Sequence, residues 1–132
     1  MRVQGGCQCG AIRYEAEVDP ATSAICHCSD CQKFSGSAWR PIVRARAADF
    51  RLTGEPRVYV KTAESGTKRG QAFCPDCGSS LYAFTPPDPE IVSLRLGSVD
   101  QRAELPPQRQ IWCASALPWA LDISGLPASP KQ

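Results

Sequence analysis

Polar and apolar residues alternate along several short stretches of the chain, and the alternation has the two-residue period of a β-strand. Between residues 11 and 18 the apolar positions are Ile12, Tyr14, Ala16 and Val18, with charged residues between them. Successive side chains of a strand point to opposite faces of the sheet. This stretch therefore predicts a strand with one buried face.

A second alternating stretch, Ala38–Arg46, carries several arginines. We interpret the face with Arg40, Arg44 and Arg46 as a solvated strand face, and an anion-binding stripe is the alternative. Pro41 has no backbone N–H to donate to a neighbouring strand. The stretch is therefore predicted to be an edge strand or to contain a bulge.

Five shorter stretches predict further strands, and glycine-rich and proline-rich turns separate them. Turns are expected at Thr53–Pro56 and Glu64–Gly66. Eight of the twelve prolines lie from Pro86 onward, so the last third of the chain should be rich in turns and poor in helix. The length of 132 residues fits one domain, covering residues 1–132, with a mainly β fold. The shorter predicted strands are Phe50–Leu52, Val58–Lys61, Ala72–Phe73, Ser79–Phe84 and Ile91–Leu96.

Charge and hydropathy exclude several classes of protein. The formal net charge is +2, which is too small to indicate a nucleic-acid or anionic-membrane partner. No stretch has the length and apolar character of a signal core or a transmembrane helix, so we expect no membrane partner and a cytoplasmic location. Thiols stay reduced in that compartment. Clustered cysteines there more often bind metal or do chemistry than form disulfides.

Three of the eight cysteines, Cys26, Cys28 and Cys31, lie within six residues. The C-x-C and C-x-x-C spacings suit a soft divalent metal such as zinc. No fourth ligand stands nearby in sequence, so the pattern predicts a zinc with one open coordination position; a buried cysteine cluster without metal is the alternative. Ser29 is predicted to cap a short helix that Gly36 ends, and the positive end of that helix would favour thiolates.

Two further residues, His27 and Cys113, each allow two interpretations. His27, the single histidine, stands between two of the cysteines. In an extended segment its side chain would point away from their metal, so a role as ligand or base is the minor alternative. Cys113 lies in an apolar stretch and is predicted to be a small buried thiol. Its alternative role is to close the three-cysteine site as a fourth ligand.

The remaining four cysteines form two pairs. Cys7 and Cys9 would share one face of an extended segment. Cys74 and Cys77 have the C-x-x-C spacing of a zinc knuckle, and Gly78 can adopt a left-handed backbone after it. Together the pairs predict a closed, four-thiolate structural zinc that joins distant parts of the chain. Two independent half-sites, or a redox-active C-x-x-C, are the alternatives.

Taken together, these motifs resemble the glutathione-dependent formaldehyde-activating enzyme family, whose domain is shared with centromere protein V. The likeness covers nearly the whole chain, and the joint pattern of seven cysteines is highly specific for this domain. In the closing motif the family often carries a histidine before Ile-Trp, where this chain has Gln110. The segments that carry the resemblance are Gly6–Tyr14, Cys26–Gly36, Phe73–Leu81 and Gln110–Trp119.

The resemblance implies a β-tent fold with little helix and two zinc ions per chain. It implies a structural zinc on the four paired cysteines and a catalytic zinc on the clustered three. The family's nominal reaction adds glutathione to formaldehyde to give S-hydroxymethylglutathione, and its reverse is a carbon–sulfur lyase reaction. The implied partners are a small thiol such as glutathione and a small aldehyde. The implied ligands are Cys7, Cys9, Cys74 and Cys77 for the structural zinc, and Cys26, Cys28 and Cys31 for the catalytic zinc.

The sequence therefore predicts a zinc-dependent enzyme of the carbon–sulfur lyase type. The alternative is a non-catalytic, zinc-stabilised binding module, which a fourth ligand at the three-cysteine site would favour. Three thiolates and Zn²⁺ carry a formal charge of −1, so an anionic thiol needs nearby cations to approach. The candidate cations are Lys33, Arg40, Lys68 and Arg69.

Overall fold

The computed structural model describes residues 1–63 and 65–132, and Glu64, part of one predicted turn, lies outside them. Within those residues the chain forms nine strands and one α-helix, which confirms the mainly β fold with little helix. No helix in this part of the chain has the length and apolar character needed to cross a membrane. The elements are β1 Arg2–Gly6, β2 Arg13–Cys26, α1 Ser29–Ser35, β3 Arg40–Arg46, β4 Arg51–Thr53, β5 Arg57–Thr62, β6 Lys68–Phe73, β7 Ser80–Phe84, β8 Ile91–Arg95 and β9 Arg109–Ile111.

The long strand β2 belongs to both parts of the sheet. Its first half pairs with β1 and β4, and its second half pairs with β3 and, in parallel, with β9. The register with β3 shifts between Asp19 and Ala24. Beyond β3 the sheet continues in the order β8, β7, β6 and β5, all antiparallel. This two-part sheet agrees with the predicted β-tent.

The hydrophobic core lies on the face of β2 that its alternation predicts. Ile12, Tyr14, Ala16 and Val18 are each at most 4% exposed. Burial of these side chains supplies the driving force that holds the two parts of the sheet together. The same cluster contains two cysteines, Cys7 and Cys74, together with Val3, Val43, Leu81, Leu94, Val99 and Leu105.

Strand β3 differs from its prediction in two respects. It lies between β2 and β8 and is not an edge strand. Pro41 pairs with β2 but precedes Ile42, where the pairing with β8 begins, so its missing N–H interrupts no bond to β8. Arg40 is buried, whereas Arg44 and Arg46 are exposed. The interpretation as a solvated face is therefore wrong at Arg40.

Candidate metal centres

The first cysteine group lies where two hairpin turns meet. Cys7 and Cys9 lie in the turn between β1 and β2, and Cys74 and Cys77 lie in the turn between β6 and β7. All four sulfurs lie within 4.8 Å of one another, with 3.6 Å from Cys7 to Cys9 and 3.7 Å from Cys9 to Cys74. Tetrahedral zinc with Zn–S bonds of about 2.3 Å holds its sulfurs about 3.8 Å apart. The donor atoms and their spacing fit zinc.

The first of these turns is tighter than the extended segment that the sequence predicts. The Gly10 N–H donates to the Cys7 carbonyl at 3.2 Å, and the Cys7 N–H donates to the Ile12 carbonyl at 3.0 Å. Gly10 has a φ of 82°, in the left-handed region that glycine adopts most easily. The Ile12 N–H also donates to the Cys7 sulfur at 3.2 Å, which favours the thiolate. The two sulfurs therefore meet through a turn and not along a strand.

The second turn follows the predicted knuckle. The Cys74 N–H donates to the Ser79 carbonyl and the Gly78 N–H donates to the Cys74 carbonyl, both at 2.9 Å, and Gly78 has a φ of 73°. The Ser79 hydroxyl lies 3.2 Å from the Cys77 sulfur. This contact, followed by the hydrogen bond from the Ser79 backbone, lowers the pKa of Cys77 to about 5. The turn thus presents a sulfur that ionises easily, as a metal ligand must.

The second cysteine group lies at the junction of β2 and α1. Cys26 ends β2, Cys28 immediately precedes α1, and Cys31 lies in its first turn. Their sulfurs lie within 4.8 Å of one another, and no histidine, cysteine, aspartate or glutamate of residues 1–63 or 65–132 joins them as a fourth donor. Cys113 is exposed and outside the group, so its predicted burial is wrong. Three thiolate donors also suit zinc.

The helix that carries this group is capped by one of the cysteines. The N-cap is Cys28 and not Ser29, because the Cys28 sulfur accepts a hydrogen bond from the Cys31 N–H at 3.3 Å. The predicted start is therefore wrong by one residue. The helix ends as predicted at Gly36, whose φ is 61° and whose N–H donates to the Gln32 carbonyl. The Cys28 sulfur is thus both a candidate ligand and a helix cap.

A buried cation lies beside the second group. Arg40 Nη2 donates to the Cys31 sulfur at 3.2 Å. The pKa of Cys31 is lowered to about 5, first by a hydrogen bond from Cys26 and then, against burial, by the positive charge of Arg40. The same hydrogen bond raises the pKa of Cys26, because the neighbouring thiolate holds its proton. Of the other predicted cations, Arg69 donates to the Thr85 hydroxyl, and Lys33 and Lys68 are exposed.

His27 lies outside the cysteine group. Its side chain is 1% exposed, and Nε2 lies 2.7 Å from the Gln110 side-chain oxygen on β9. The Gln32 side chain donates to the backbone carbonyls of His27 and Ser115, at 2.8 and 3.0 Å. These contacts hold the C-terminal region against the helix that carries the site. The role of Gln32 was not predicted, because a single polar helix residue has no distinctive spacing.

The outer side of α1 packs on strand β5. Lys61 Nζ lies 2.6 Å from an Asp30 carboxylate oxygen, and the rings of Phe34 and Tyr59 lie 5.9 Å apart. Neither contact was predicted, since the partners are more than twenty residues apart and follow no common motif. They fix the position of the helix, and so of Cys31, relative to the sheet.

The fold and the two groups define a small, mainly β protein with two clusters of cysteines able to hold metal ions. The model of the family described as glutathione-dependent formaldehyde-activating enzyme matches residues 2–115 of the chain. The chain therefore belongs to that family, which confirms the resemblance. The family's name denotes an enzyme that acts on glutathione and formaldehyde.

Two known proteins are similar to this chain. A protein of Halomonas elongata, provisionally named glutathione-dependent formaldehyde-activating enzyme, is 30% identical over an alignment of 114 residues that covers 83% of this chain and 73% of the relative. The crystal structure of a Rhodobacter sphaeroides protein superposes with a TM-score of 0.62 at 22% identity, covering 81% of this chain and 98% of the other. The second likeness supports the fold alone.

Proposed function

We propose that the protein is a zinc-dependent enzyme that forms or cleaves the adduct of glutathione, or a related small thiol, with formaldehyde. In the cleaving direction it is a carbon–sulfur lyase. The observation that carries the proposal is the group of three sulfurs without a fourth donor in the described part of the chain. In this proposal, the structural zinc is held by Cys7, Cys9, Cys74 and Cys77, and the catalytic zinc by Cys26, Cys28 and Cys31.

Zinc bound at the second group would lower the pKa of a thiol that coordinates it, so that the sulfur reacts as a thiolate. In the overall reaction the thiol loses its proton, a C–S bond forms to the carbonyl carbon, and the carbonyl oxygen gains a proton. Arg40 offsets part of the negative charge that the three sulfurs bring together. The helix cap fixes the direction of the Cys28 sulfur.

The alternative functions are less well supported by the geometry. A non-catalytic binding module would gain support from a closed second site, but Cys113, the candidate for closing it, is exposed and outside the group. A redox role for Cys74 and Cys77 competes with their place among four converging sulfurs. The cytoplasmic location belongs to the proposal, because a reducing compartment keeps clustered thiols available as metal ligands.

The proposal is tested by exchange NMR on glutathione and ¹³C-formaldehyde. The zinc-loaded protein should accelerate the interconversion of formaldehyde and S-hydroxymethylglutathione above its rate in buffer. Cys28→Ser should return the exchange to the buffer rate. Cys113→Ser, which changes an exposed thiol outside both groups, is the matched control and should retain the acceleration. A wild-type protein that holds two zincs and gives only the buffer rate would contradict the proposal.

A further inference from the structure

A cleft of about 620 Å³ borders the first cysteine group and the helix that carries Cys31. Cys7 lines it from the first group, and Phe34, on the helix of the second group, also lines it. The one carboxylate in the lining, Asp100, is already paired with an arginine. The cleft is therefore positively charged. Its arginines are Arg13, which pairs with Asp100, and Arg40, Arg95 and Arg102.

Two of these arginines are buried and have unused hydrogen-bond donors. Arg40 is 4% exposed and Arg95 is 5% exposed. Arg40 Nε and Nη1, and Arg95 Nε, have no hydrogen-bond partner within residues 1–63 and 65–132. The Arg95 Nη2 donates at 2.6 Å to the side-chain oxygen of Gln71, an uncharged group. Among the ion pairs of the described residues, neither guanidinium is paired with a carboxylate.

Such an arrangement is unfavourable without a ligand. A buried charge needs a counter-ion and hydrogen bonds to offset its desolvation. For Arg40, the Cys31 sulfur supplies part of this compensation by accepting one hydrogen bond. Burial, followed by the positive charge of Arg40, lowers the pKa of Arg95 to about 9, so the guanidinium is still charged at neutral pH. Two buried guanidinium groups at one cleft, neither paired with a carboxylate, therefore indicate an anion site.

We infer that Arg95, together with Arg40, binds a carboxylate of the thiol substrate and so selects acidic thiols over neutral ones. The identity of the ligand as a thiol rests on the proposed function. Guanidinium groups form their strongest hydrogen bonds with carboxylates and phosphates. Glutathione carries two carboxylates, and the cleft leads from these arginines to the helix that carries Cys31. The ligand carboxylate would supply the negative charge that no carboxylate of the described residues provides to these two guanidinium groups.

The test compares acid and ester forms of one ligand on the zinc-loaded protein by calorimetry. S-methylglutathione has both carboxylates and no thiol. Its diethyl ester has neither carboxylate charge and keeps the same α-ammonium group. The acid should bind about 10- to 100-fold more tightly than the ester, because a charge-assisted hydrogen bond contributes more than a neutral one. Its affinity should also fall as salt is raised. Arg95→Gln should abolish this preference for the acid. Arg44→Gln changes an exposed arginine on β3 that does not line the cleft, and it should leave the preference unchanged.

Equal affinity for acid and ester, or a full preference for the acid in Arg95→Gln, would overturn the inference. If Arg95→Gln does not fold, the acid–ester ratio and the salt dependence of the wild-type protein decide the question. Failure of the proposed function is distinguishable from failure of the inference. In the first case the acid still binds through Arg95 while formaldehyde exchange stays at the buffer rate. In the second, exchange is accelerated with no preference for the acid.

Discussion

The two cysteine groups differ most in the length of chain that each one closes. Cys9 and Cys74, whose sulfurs are 3.7 Å apart, are separated by 65 residues, whereas Cys28 and Cys31 are separated by three. Bringing distant residues together costs conformational entropy, and a bound metal can offset that cost only where it joins them. We therefore expect metal binding at the first group to stabilise the fold. The second group is local, so we expect that its cysteines can be replaced with little effect on the fold.

The residues that surround the two groups also differ. Cys7 and Cys74 are part of the hydrophobic core, and neutral groups, the Ile12 N–H and the Ser79 hydroxyl, contact the sulfurs of their group. The second group has a buried guanidinium beside it and no fourth donor in the described residues. A group of four thiolates, two of which are buried in the core, suits a structural role. An unsaturated site beside a charged cleft suits a chemical one.

The largest expected effect is that of Cys77→Ser. A structural zinc can contribute on the order of 10 kcal/mol to folding, while whole domains are stable by only about 5–15 kcal/mol. Loss of one of four thiolates should therefore leave the protein largely unfolded. Far-UV circular dichroism and thermal denaturation measure this. Cys113→Ser should melt like the wild type, and a Cys77→Ser protein that does the same would mean that the first group does not join the two turns through a metal.

Cys28→Ser should disturb the fold less than Cys77→Ser does, but it should abolish metal binding at the second group. Serine is among the best N-cap residues, so the hydroxyl can replace the sulfur that now accepts from the Cys31 N–H. We expect a folded protein that retains one zinc where the wild type holds two. Elemental analysis and circular dichroism on the same sample test both statements. Unfolding to the same extent as in Cys77→Ser would remove the distinction between the groups.

Local patterns in the sequence predicted the buried face of the first long strand, the three-cysteine group and the C-x-x-C turn of the other group. The alternation of Ile12 to Val18 has one physical cause, the burial of one strand face, and the structure follows it. The convergence of Cys74 and Cys77 follows from the short C-x-x-C turn and the glycine after it. In these cases the residues that interact are also close in sequence, so their spacing carries the information.

Features that depend on distant partners could not be predicted in this way. Strand β9 has three residues and is fixed by parallel pairing with β2, which no local alternation reports. Arg40 looks like any other arginine of an alternating strand, and its burial results from the packing of α1 and the Cys31 sulfur against it. The start of α1 was misplaced by one residue because a cysteine, and not the serine after it, forms the cap.

The smallest expected effect is that of removing the ion pair between Asp30 and Lys61. It tests whether the position of α1 also distinguishes the two cysteine groups. Both side chains are more than 40% exposed, so solvent screens their attraction and the pair should contribute little to global stability. The pair nevertheless fixes the first turn of α1, where Cys31 lies, to the edge strand β5. Lys61→Met should therefore leave the melting temperature almost unchanged.

The same change should accelerate release of the second zinc to a chelator, because α1 is then less firmly held. High salt should have a similar effect on the wild-type protein, since it screens exposed charges. The first zinc should respond to neither, because its turns are fixed by backbone hydrogen bonds and core packing. A chromogenic chelator that follows the fast and slow phases of release separately measures both ions in one experiment. Equal acceleration of the two phases, or none of either, would show that the helix position does not control the second group and that only loop length distinguishes the two.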